Sequence, residues 1–325
     1  MRSALNRCLP ILLILGACVS SAAAMASLNL DVQNQYRPGQ ERLDTHISTM
    51  KAAGKSTEAE DVTTRLRTTE ANQGASERLD AAMQAGLNAL MANRPDEGEK
   101  NYTEAVDLAE KIQPHDMRLT TSLLRLGAIY AGKQDFPLAE ATLARALKVT
   151  EEVYGSDSPM MTEPLQALGR FALMKKDYST ALDLLSRAVE VNEKTFGENS
   201  DNVAKSLLSL AIVPYMQQAY DKTELYLLRA VRIDESLFGK DGLYTLVPLA
   251  SLCNLYEKWD KPEKAEPCYR QTLAALDKHN GADSPIMLDT LTKEANVLRR
   301  LGRSEEAVQI EQRLQSTRAS QTNAN

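Results

Sequence analysis

Four glycines, Gly155, Gly197, Gly239 and Gly281, stand 42 residues apart, and no other feature limits the possible folds of this chain as sharply. They close related lead-ins, VTEEVYG, EVNEKTFG, RIDESLFG and AALDKHNG, and an acidic or amide residue follows two places on, at Asp157, Asn199, Asp241 and Asp283. Upstream the same beat is kept by Ala139, Ala181, Thr223 and Ala265, by Leu143, Leu185, Leu227 and Tyr269, and by Ala146, Ala188, Ala230 and Thr272. A fixed period in the range of roughly 20–50 residues marks a stack of like units, each burying its apolar face against its neighbours. The expectation is an all-α solenoid of stacked antiparallel helix hairpins.

Within one unit, PLQALGRFALM carries apolar residues at helical spacing, Lys176-Asp177 interrupts, and TALDLLSRAVEVNEKTF resumes the pattern. Small residues at Gly169, Ala181 and Ala188 suit two helices in close contact. The glycine after the second helix supplies a left-handed residue, and Pro159 and Pro285 fit the first turn of the next unit.

These residues resemble the tetratricopeptide repeat, whose Leu-Gly…Tyr…Ala…Leu/Phe…Ala pattern is matched by Leu126, Gly127, Tyr130, Ala139, Leu143 and Ala146. The 42-residue period and the E-x-x-[YF]-G-x-[DN] linker are similar to the kinesin-light-chain variety of that family. The resemblance implies a right-handed superhelix with the first helices lining a concave groove. Departures are Pro214, which predicts a kinked or late-starting helix, Cys253 in place of the glycine, and Thr223 and Thr272 in place of alanines.

The array divides the chain. Residues 1–26 read as an export signal, with Arg2 and Arg7 before the apolar run Leu9 to Val19, too short for a membrane span. Cleavage after the small residues near Ala24 gives a secreted form; Leu15-Gly16-Ala17-Cys18, which resembles a bacterial lipoprotein box, gives a form lipidated at Cys18. Residues 27–40 are an irregular lead-in and 41–116 two degenerate hairpins, with a turn at Gly54 and a polar bridge at 72–76. Four clear repeats fill 117–285, a C-terminal repeat 286–318, and a disordered tail 319–325. In an oxidising compartment Cys253 and Cys268, on the two helices of one hairpin, are either a disulfide or two buried thiols.

Chemistry finds little purchase here. Gly54-Lys55-Ser56 lacks the glycine and the preceding strand of a phosphate loop. His46, His115 and His279 have no metal-ligand spacing, and Glu151, Glu193, Glu235 and Asp277 recur by structural period rather than as a pair. No catalytic, cofactor or metal site is expected. A net charge of −6, spread along helix faces, argues against nucleic acid. The resemblance then implies a non-enzymatic scaffold or adaptor of the bacterial envelope that binds a partner peptide or protein. The alternatives are a lipid-anchored assembly factor tethered through Cys18, touching membrane only by that anchor, and an accessory domain of an enzyme complex. Partner-binding positions assigned by register are Arg170, Met174, Tyr215, Asn254, Lys258, Asn296, Arg299 and Arg300, with Leu208 and Ile212 in an apolar middle. The asparagines are suited to gripping an extended backbone and the arginines to a carboxylate.

Overall fold

The computed structural model describes residues 56–112, 115–279 and 285–323. The export signal, Cys18, the lead-in and the Gly54 turn lie outside them. The chain falls into two compact units, one up to Ala81 and one from Ala82 onward. Among the described residues the first unit holds part of one helix, and the hairpins belong to the second.

Helix α1 spans Ser56–Met91 and runs straight through the stretch where the sequence suggests a polar bridge at 72–76. One glycine costs a helix only about 1 kcal/mol, and the alanines, glutamines and glutamates beside Gly74 carry the helix across it. Then follow α2 (Pro95–Ala109), α3 (Met117–Gly132), α4 (Phe136–Tyr154), a 3₁₀ turn (Pro159–Met161), α5 (Thr162–Met174) and α6 (Tyr178–Phe196). The array continues with α7 (Asp201–Met216), α8 (Tyr220–Phe238), α9 (Leu246–Lys258), α10 (Pro262–Lys278), α11 (Pro285–Arg300) and α12 (Ser304–Asn323). The last helix takes in residues 319–323, expected as a disordered tail; no breaker follows Arg318, and extending a formed helix needs no new nucleation. Helix α7 neither starts late nor stops at Pro214, which sits in its last turn, where one lost backbone bond is tolerated.

Each hairpin turns on one left-handed residue. Asn93, Gln134, Lys176, Gln218, Asp260 and Gly302 have φ between 57 and 74°, and Asp135 and Asp177 then cap the next helix by accepting from Leu138 N and Thr180 N, both at 3.2 Å. The linkers between hairpins turn differently. Gly155, Gly197 and Gly239 have φ of 83–86° with ψ of 156–161°, a region essentially reserved for glycine and distinct from the left-handed helical geometry the sequence suggests.

Within hairpins, close approach is built by pairing a glycine with a large residue sixteen places on. A Cβ at Gly127 would lie 2.7 Å from the Leu143 side chain, at Gly169 2.6 Å from Leu185, and at Gly86 2.7 Å from Tyr102. Counting α3–α4 as the first hairpin, the fourth, α9–α10, replaces the glycine with Cys253, which forms a disulfide with Cys268, Cα atoms 5.5 Å apart. Between hairpins, each second helix packs on the next first helix, and one core runs from Ala172 to Val297. First helices of successive hairpins also touch directly, α3 against α5 and α5 against α7, which sets them on the inner side of the stack.

Candidate binding groove

The inner faces of the first helices carry one row of side chains in register. On α5 these are Glu163, Ala167, Arg170 and Met174; on α7 Lys205, Ser209, Ile212 and Met216; on α9 Val247, Ser251, Asn254 and Lys258. Met174 is 54% exposed, and Tyr215 and Met216 stand open beside it in the next helix. Leu208, assigned to the groove by register, is only 8% exposed and belongs to the core.

The polar members differ in how free they are. Arg170 and Lys258 make no ion pair among the described residues, and Asn296 is exposed without a hydrogen bond. Burial lowers the Arg170 pKa, Glu163 opposes this, and the neighbouring Arg125 adds to it. Arg125, on α3, thus acts on Arg170 although it is not among the positions assigned by register. Asn254 is committed: its Oδ1 accepts from Lys293 Nζ at 2.9 Å, and Lys293 also pairs with Asp289 at 3.0 Å. The two C-terminal arginines do not present an open carboxylate fork. Arg299 donates to both oxygens of Glu311 on α12 at 2.9 Å, and Arg300 is paired with Asp260. Register puts them at the end of α11, but only the fold reveals the carboxylates that occupy them.

Beside the groove an aromatic path crosses two hairpins. Tyr215, Tyr220 and Trp259 follow each other with ring centroids 6.1 Å apart at each step. Lys264 lies over Trp259 at 5.3 Å, while its ammonium pairs with Glu224 at 2.6 Å, the carboxylate that also accepts from Tyr256 Oη at 2.8 Å. Burial and the nearby Tyr220 raise the Tyr215 pKa, so its hydroxyl stays a neutral donor. Tyr220 and Trp259 sit in or after the turns between paired helices, outside the face that register arguments sample. The sequence signal was the 42-residue series Phe136, Tyr178, Tyr220.

The recurring carboxylates have a structural task. Glu151 takes Arg187 at 3.0 Å, Glu193 takes Arg229 at 2.6 Å, Glu235 takes Gln271 at 2.7 Å, and Asp277 takes Arg313. Each acceptor on one second helix meets a donor 36 residues later on the next, forming a ladder along the outer side. Among the described residues no group of three or more His, Cys, Asp or Glu side chains is placed to hold a metal, and no helix is long and apolar enough to cross a membrane.

This architecture defines a class, the helical-hairpin solenoids, and its repeats define the family. Residues 117–194 and 163–236 match the tetratricopeptide repeat model, so this stretch of the chain is built of tetratricopeptide repeats. Its fold is similar to that of BtubC (BKLC) from P. vanneervenii, at 20% identity over 70% of this chain and 92% of that one, with a TM-score of 0.61. It is also similar to the nearly identical TPR-like repeats of a putative kinesin light chain from Podosopora anserina, at 18% identity over 62% and 95% of the two chains, TM-score 0.53. A Rap protein complexed with competence and sporulation factor aligns at 14% identity over 87% and 86%, TM-score 0.51. No curated protein sequence matches this chain.

Proposed function

We propose that this protein is a non-catalytic adaptor that holds a segment of a partner protein along the inner faces of α5, α7 and α9. The observation that carries this reading is the run of Met174, Tyr215 and Met216, large apolar side chains left open on successive first helices and flanked by the uncommitted Arg170, Lys258 and Asn296. Exposed apolar side chains grouped beside unpaired polar ones are the usual composition of a contact surface. The similarity in fold to a Rap protein that is complexed with a factor supports the same reading.

Export of the protein is part of the proposal. Arg2, Arg7 and the apolar run Leu9 to Val19 support it, and so does the Cys253–Cys268 disulfide, since such bonds persist where thiols are not kept reduced. The Leu15-Gly16-Ala17-Cys18 sequence favours a second form, an adaptor anchored by lipid at Cys18. The mass of the mature N-terminus separates the two.

Photo-crosslinking in intact cells tests the groove. A crosslinker placed at Tyr215 is expected to capture a discrete partner, one at Glu190 on the outer face of α6 is not, and Lys258→Ala should weaken capture from 215. Equal capture from both positions, or none from 215, overturns the groove assignment.

A further inference from the structure

The fourth hairpin is flanked by two buried acids that break the pattern of the other hairpins. In the register of Asp234 the preceding units carry Thr150 and Asn192, each hydrogen-bonded. Thr150 Oγ1 meets Thr120 Oγ1 at 2.9 Å, and Asn192 binds Thr162 Oγ1 at 3.0 Å and Ser206 Oγ at 2.7 Å. One period on, the places of Thr162 and Ser206 are taken by Ala204 and Pro248, which offer no side-chain donor. Asp234 is 4% exposed and its Oδ1 has no hydrogen-bond partner. In the register of Glu294 the preceding first helices carry Leu126, Leu168, Leu210 and Leu252. Glu294 is 3% exposed with Oε2 unpartnered, against Glu266, itself buried and held by Arg270 at 2.5 Å and Arg303 at 3.2 Å.

We infer that the fourth hairpin, α9–α10, is mounted between two proton-operated joints, stacking firmly on its neighbours while Asp234 and Glu294 are protonated and loosening when they ionise.

The charges that face each acid set the direction. Burial pushes the Asp234 carboxyl up to about 6, with Asp201 on α7 adding to the shift and Lys205, already paired with Asp201 at 2.5 Å, opposing it. Burial pushes Glu294 up to about 7; Glu266 on α10 adds to this, and Arg270 on α10, Arg313 on α12 and Arg303 in the preceding turn oppose it. Both values lie above those of an unfolded chain. The stabilisation is therefore fully present below the ordinary carboxylate range and is lost as pH rises through about 6 at the first joint and about 7 at the second.

The surroundings favour movement between hairpins rather than within one. The disulfide ties α9 to α10. The linker ahead of α9 lacks the cap found in its equivalents: Ser158 and Ser200 accept from Met160 N and Val203 N, whereas Gly242 stands at that place and Thr245, at the helix start, makes no side-chain cap. In the same linker Tyr244 is 63% exposed, its ring packed on Phe238 with centroids 4.7 Å apart, so little apolar burial holds it down.

The sole tryptophan is a built-in reporter, because Trp259 of the fourth hairpin lies against Tyr220 of the third. The experiment uses the full chain with its disulfide intact, follows Trp259 emission from pH 5 to 8.5, and measures hydrogen exchange in α9 and α11 corrected for the intrinsic pH dependence. The wild type should show an emission transition near pH 6, abolished by Asp234→Asn, the polar choice of the second hairpin. Corrected exchange in α11 should rise several-fold between pH 5 and 8, and Glu294→Leu, the residue of the earlier hairpins, should remove the rise. Glu294→Gln, which keeps shape without charge, serves where the leucine variant misfolds. Flat wild-type profiles, or profiles unchanged in the matching variants, overturn the inference. No partner is needed, so the outcome is independent of the groove proposal.

Discussion

Two joints of the same construction, one period apart, treat a buried polar side chain in opposite ways. Around Asn192 the amide is enclosed by donors and acceptors from two helices, α5 and α7: Thr162 donates to it, it donates to Ser206 and to the Asn202 carbonyl, and Gln166 also reaches Ser206 at 3.1 Å. Around Asp234 the same volume holds a carboxyl whose two complementary positions have become Ala204 and Pro248. A repeat period fixes where a polar atom is buried. Its satisfaction depends on residues from two other helices, each free to drift separately, and an unpaired buried group costs far more than a made hydrogen bond returns.

The largest effect is expected from breaking the hairpin beneath the satisfied joint. Gly169→Leu forces a side chain into Leu185, whose atoms stand 2.6 Å from the ideal Cβ, and should destabilise by about 3 kcal/mol in urea unfolding. A neutral result would mean that α5 and α6 can part without disturbing the joint above them. Next comes Asn192→Ala, which takes the acceptor from the half-buried Thr162 hydroxyl and leaves the buried Ser206 hydroxyl with Gln166 alone; about 2 kcal/mol should be lost at any pH between 5 and 8. That pH independence sharpens the contrast with Asp234, and a loss confined to one end of the range would erase it. Smallest is Arg187→Ala, which removes a rung of the outer ladder whose partners are both well exposed; under about 0.5 kcal/mol should be lost, shrinking further in high salt. A larger cost would make the ladder, rather than the buried joints, the main determinant of stacking.

Much of this fold was legible because its determinants are local and recur. The glycine linkers act within a few residues of their own position, and the small residues between paired helices act a constant sixteen places from the side chains they admit, so spacing alone exposes them. The break expected at 72–76 failed for the same physical reason in reverse: a single glycine in a run of helix formers does not stop a helix. The candidate groove was legible only in part. Met174 and Tyr215 are open as register suggests, but Leu208 turns into the core, and Arg299 and Arg300 are held by Glu311 and Asp260, 12 and 40 residues away.

The sequence by itself determined the period, the hairpin unit, the close helix pairing and the family, since all of these follow from residue types repeated at fixed intervals. Only the tertiary structure decided which charges are spent on one another, that Cys253 and Cys268 join, and that Asp234 and Glu294 are each buried with a carboxylate oxygen left unpartnered. Such outcomes depend on meetings between side chains of separate helices, and in a stack of near-identical units a single substitution on a neighbouring helix is enough to reverse them.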